Sequence, residues 1–138
     1  MKLKNLDQAF IEIAEKKSEL AQLEMQDPKH AALQREIEKL ESEFQYAYGS
    51  YIEEALFNVH DEYCPDNEVL RPVSYLATSY RKTRDNELEF DVDPQEGIPV
   101  DADDFPGIKA RLVLVPGPTR LILQGQQEPF RETVWVAS

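Results

Sequence analysis

The side chains best suited to chemistry crowd into one stretch, FNVHDEYCPDNEVL at residues 57–70, which holds the sole cysteine, Cys64, and one of two histidines, His60. A thiol four residues from an imidazole is raw material for a nucleophilic pair, and with Asp61 and Glu62 it offers donors to a metal. The spacing supports neither use. A structural zinc site takes four N or S ligands, while the chain owns three, and His30 lies far from the others in sequence. Neighbouring acids, from Glu53 to Glu68, raise a thiol's pKa and suppress the thiolate. The same residues make a good helix exit: His60 suits the negative end of a helix dipole, Pro65 stops the helix, and Asp66 and Asn67 are turn formers. The stretch is expected to be a junction, with no catalytic residue, metal or cofactor assigned to the chain.

Two other groups are candidates for partner contact. The segment LEMQDPKH offers Glu24, Asp27 and His30 at what is expected to be the tip of a helical hairpin. Further on, the run from Asp85 to Asp104 contains nine carboxylates and no base, and its alternating part places Glu87, Glu89, Asp91 and Asp93 on one face of a strand, with Leu88, Phe90 and Val92 on the other. An EF-hand loop needs a glycine at its sixth position and a distal glutamate, and neither fits this run. The five glycines, at 49, 97, 107, 117 and 125, form no phosphate-binding loop.

The elements that must position these residues differ in period between the two halves. Leu3, Leu6, Phe10, Ile13 and Leu20, skipping Lys17, follow a 3-4 spacing that predicts a helix to about Met25. Asp27 suits an N-cap and Pro28 the first position of a second helix, running to about Glu62 with a seam of Leu33, Ile37, Leu40, Phe44, Ala47 and Tyr51. Two such seams joined by a tight turn fold back as an antiparallel hairpin. The second helix outruns the first, and Ile52, Ala55, Leu56 and Val59 renew its apolar face against the rest of the chain. Beyond Pro72 the period moves toward two. Strands are expected at YLATSYRKT and ELEFDVD, in ARLVLVPGPTRLILQG as a hairpin about Pro-Gly-Pro, and in ETVWVA. Residues 69–81 also fit a short helix, with strand slightly preferred. Runs such as LVLV need cover on both faces, from the chain or from a neighbouring protomer. The expected fold is α+β: a coiled-coil-like helical hairpin at 1–62, its longer helix packed on a mostly antiparallel sheet of four to six strands in a β-rich part at 63–138.

With 27 acids against 15 Lys and Arg, the formal charge of −12 repels a phosphate backbone, so direct nucleic-acid binding is not expected. No apolar run approaches the ~20 residues of a membrane span, the start lacks a signal-peptide pattern, and one cysteine points to the reducing cytoplasm. The function expected is that of a cytoplasmic, non-enzymatic interaction or assembly protein that forms a homo-oligomer and has a protein partner of basic character. A second expectation is an acidic regulator that mimics nucleic acid in a basic channel, and a third is a small metal-dependent enzyme. The layout of an acidic hairpin tip, here Glu24 and Asp27, ahead of a β-rich part resembles that of Gre-type transcript-cleavage factors, whose tips enter an RNA polymerase channel and help hold a metal. The chain departs from them in its shorter hairpin and in having no Ser-Pro dipeptide, so no functional residue is carried over.

Overall fold

The computed structural model of the protein describes residues 2–83, 89–127 and 129–138. Two helices open the chain, α1 (Leu3–Ala21) and α2 (Pro28–Tyr63). The restart between them follows the local chemistry. Pro28 occupies the first turn of α2, and the Asp27 carboxylate accepts from the Lys29 N–H at 2.9 Å. α1 ends at Ala21, four residues short of the expected Met25. Leu6, Phe10, Ile13 and Ala14 are buried on α1 and Leu33, Ile37 and Phe44 on α2, and Phe10 meets Phe44 at a ring distance of 5.5 Å. The expected seam slips once: Ala47 is exposed and Tyr48 turns inward instead, because Tyr48 packs on Phe44 at a ring distance of 5.5 Å.

The far end of α2 has the partner its composition demanded. Ile52, Ala55, Leu56 and Val59 are all buried in the same cluster as the strands, or beside it. Those strands are β1 (Arg81–Lys82), β2 (Phe90–Asp91), β3 (Ile98–Val100), β4 (Ala110–Val115), β5 (Arg120–Gly125) and β6 (Arg131–Val136). All pair antiparallel, β1 with β2 as a small ribbon and β3-β4-β5-β6 as a four-stranded sheet. The β4–β5 hairpin turns at Pro116, Gly117 and Pro118, where Gly117 takes φ 77° and so needs to be glycine.

Register decides what covers the sheet. Leu112, Leu114, Leu121, Leu123 and Trp135 share one face, and Trp135 meets Tyr51 of α2 at 5.8 Å, so this face looks toward the helices. Arg111, Val113, Arg120, Ile122 and Gln124 share the other, which is roofed by residues 90–97. Gln124 donates to the carbonyls of Asp93 and Glu96, Arg120 to that of Phe90, and Arg111 to that of Gly97. Gly97, at φ 104°, lies so close that a Cβ would sit 2.6 Å from the Leu112 carbonyl. Strands β4 and β5 are therefore covered on both faces within one chain.

Residues 69–81 correct the strand expectation. They form a short 3-10 helix (Pro72–Tyr75) followed by extended chain, with one parallel bridge from Leu76 to Leu114 and only β1 as strand. Side chains replace the ladder here. Tyr75 Oη accepts from Leu70 N–H, Gln45 from Val73 N–H, Tyr80 Oη from Ala77 N–H, and the Glu96 carboxylate from both Thr78 and Ser79. From the hairpin, Lys17 and Ser18 donate to the carbonyls of Ala77 and Tyr80.

Candidate functional site

His60 and Cys64 are both buried, His60 with both ring nitrogens hydrogen-bonded and Cys64 as the C-cap of α2. Nδ1 of His60 lies 3.0 Å from the Asn67 carbonyl and Nε2 lies 2.8 Å from Tyr75 Oη. A carbonyl only accepts, so Nδ1 carries the proton, Tyr75 donates to Nε2, and the Tyr75 oxygen accepts from Leu70 N–H at 2.9 Å. Burial raises the Tyr75 pKa, and it pushes the Cys64 thiol up to about 11, with Asp103 and Asp101 adding to the latter. The upward direction expected for Cys64 holds, but its first cause is burial, and the acids that add to it are Asp103 and Asp101 rather than those from Glu53 to Glu68. A protonated, enclosed thiol is a poor nucleophile. Among the described residues no group of His, Cys, Asp and Glu is arranged to hold a metal.

The acidic strand is matched by bases. Asp91 pairs with Arg131 and Arg81, and Asp93 with Arg81. Burial alone would raise the Asp91 pKa; the Arg131 hydrogen bond, the Val92 N–H and the two cations outweigh it and hold the carboxyl below its ordinary range. Glu89 borders a polar cavity of about 340 Å³ with Thr83, Asp91, Arg120 and Arg131. Arg120 is committed there to the carbonyls of Phe90, Pro116 and Pro118, and burial lowers its pKa. Glu87 lies outside the described residues.

At the hairpin tip, Asp27 is used in capping, Glu24 accepts from Gln26 at 2.7 Å, and the backbone N–H of His30 bonds the Asp27 carbonyl. These three are near one another in sequence but converge on no common point. Lys17, skipped by the seam, is instead drawn into it. Its Nζ donates to Ala77 O at 2.8 Å and lies 3.9 Å from Glu41, and burial lowers its pKa against the pull of Glu41 and Glu96. A depressed lysine can act as base or nucleophile. Here it joins hairpin to connector.

Among the described residues the large exposed apolar side chains include Met25 in the hairpin turn, Val136 on β6 and two aromatics on the outside of α2. Tyr46 is 94% exposed and Phe57 56% exposed, the most exposed aromatic side chains among the described residues. Eleven residues make about three turns, so these rings lie on one stripe, offset by roughly 20° and about 16 Å apart along the axis. Ser50 and Glu53 lie between them, flanked by Glu43, Glu54 and Asp61, all exposed. The seam spacing gave no sign of this stripe, because it was used to find what faces inward; the signal was present as aromatic residues at positions the seam does not occupy. Compared with known proteins, the chain matches no family model, no curated protein and no solved structure, so the likeness to Gre-type factors stays one of layout.

Proposed function

We propose that this is a cytoplasmic protein that acts by binding another protein, through the outward face of α2. The observation that carries the reading is the pair Tyr46 and Phe57, exposed on one stripe of a rigid helix whose opposite face is anchored in the core. Large aromatics left in water on a stiff support are what binding hot spots are made of. The groups that sequence spacing offered for catalysis are spent internally, His60 on Asn67 and Tyr75, Cys64 as a buried helix end. The acidic-mimic reading finds less support, since its strand carboxylates Asp91 and Asp93 are paired with Arg81 and Arg131. The apolar runs of β4 and β5, one motive for expecting an oligomer, are covered within the chain.

The test compares the wild-type protein with Tyr46→Ser/Phe57→Ser in quantitative affinity capture from the native cell, with light scattering of each alone. A specific partner is expected to be retained by the wild type and lost by the variant, with far-UV circular dichroism unchanged. An identical captured set for both proteins would retire the proposal.

A further inference from the structure

We infer that the segment received by this face is rich in arginine and lysine, an inference that rests on the protein-binding reading above. Between Lys39 and Arg71 the chain has eight acidic residues and no lysine or arginine. Some acids elsewhere are matched at short range, Glu36 with Lys16, Glu15 with Lys82, Asp91 with Arg131 and Asp93 with Arg81, while others, such as Glu12 and Asp104, pair with no base among the described residues. On the outward face of α2, Glu43, Glu53, Glu54 and Asp61 pair with no base among the described residues, and all four are exposed beside Tyr46 and Phe57. The face therefore combines two π surfaces with an unneutralised negative rim.

A guanidinium suits both parts. It stacks flat on an aromatic ring while its edge donates to a neighbouring carboxylate, and lysine does the same as a point charge. The spacing of the rings sets the spacing of the cations. About 16 Å corresponds to residues 11 apart in a helical partner or five apart in an extended one. A second copy of the chain would bring the same carboxylates against this rim, and like charge across an interface opposes association. A basic protein segment is thus the occupant the charge selects.

The full-length protein is titrated by fluorescence anisotropy with a labelled helical Arg/Leu peptide carrying arginines 11 residues apart, and with the same peptide carrying glutamates instead. Three variants are compared: Tyr46→Ser/Phe57→Ser; Glu53→Gln/Glu54→Gln/Asp61→Asn; and the distant control Glu12→Gln/Glu19→Gln/Glu24→Gln, which removes equal charge from exposed positions on α1 and the hairpin turn. The aromatic variant is expected to weaken the arginine peptide about 30-fold and the helix-face neutralisation roughly tenfold, while the distant control stays within about twofold and raised salt weakens the wild type. Equal loss in both neutralised variants would reduce the effect to overall charge and overturn the inference, as would retained affinity in the aromatic variant or binding of the glutamate peptide. The two proposals separate cleanly. If the cellular partner is lost from Tyr46→Ser/Phe57→Ser yet holds in high salt and after helix-face neutralisation, protein binding stands and the basic segment falls.

Discussion

At the scale of single residues, the polar groups of the interior form closed chains of donors and acceptors, and that closure separates structural from available chemistry. Leu70 N–H, Tyr75 O–H, His60 Nε2, His60 Nδ1–H and the Asn67 carbonyl follow one another with each group used once. Among the described residues no buried side-chain N or O lacks a partner. Tyr75 is the link whose removal breaks two bonds at once. Tyr75→Phe keeps the ring and strands both the Leu70 N–H and the His60 Nε2, at about 1–3 kcal/mol for an unsatisfied buried group. The variant is expected to lose about 2 kcal/mol or more in urea unfolding, with the denaturant slope unchanged. Tyr46→Phe removes a hydroxyl from a ring that is 94% exposed, and its midpoint should stay within about 0.5 kcal/mol of wild type. Had the His60 site been catalytic, the sequence would have shown the same residues; it is the tyrosine 15 positions away, legible only in three dimensions, that converts a reactive-looking pair into a joint.

At the scale of elements, legibility follows the range of the interactions. The start of α2 was legible because Asp27, Pro28 and Lys29 settle it among themselves. Residues 69–81 were not, because beside their own Tyr75 and Tyr80 their backbone partners include Gln45, Glu96, Lys17 and Ser18, brought from other elements, and no period in the segment reports them. The ribbon shows the intermediate case. Alternation placed Phe90 and Val92 inward correctly, but the outward carboxylates found arginines on β1 and β6 that alternation cannot foresee. The pair of Asp91 and Arg131 ties the ribbon to the sheet, and both side chains are about a third exposed, so its contribution is below about 1 kcal/mol. The Asp91 pKa is depressed in the folded protein, so the stabilisation is present above its ordinary value of 3.8 and is lost as the pH falls through the lower folded value. Arg131→Gln should therefore be less stable than wild type at neutral pH, with the gap closing below about pH 4 in parallel urea titrations. A gap that persisted in acid would assign the effect to packing of the arginine stem instead of its charge.

At the scale of the molecule, the sequence divides at residue 62 but the core does not. Leu6, Phe10 and Ile13 of α1 belong to the same buried cluster as Phe90, Val100, Leu112, Leu114 and Leu121. Phe10 joins the halves directly, tilted on Phe44 at 5.5 Å and edge-on to Tyr80 at 5.8 Å. The ends are tied too: Asp7 accepts from the N–H and hydroxyl of Thr119, and Tyr51 exchanges hydrogen bonds with Ser138. Neither half has an alternative cover for its apolar face, and a 19-residue helix is marginal in water without one. Unfolding should accordingly be a single transition. Trp135, the only tryptophan, sits on β6 against Tyr51 and reports the helix–sheet contact, while far-UV circular dichroism reports mainly the two helices. The two signals are expected to trace one coincident urea curve, with α2 held rigid up to the point where the whole core gives way. A tryptophan midpoint clearly below the loss of helix would mean that the sheet can leave while the hairpin persists, and α2 would then lack the fixed support on which Tyr46 and Phe57 are presented.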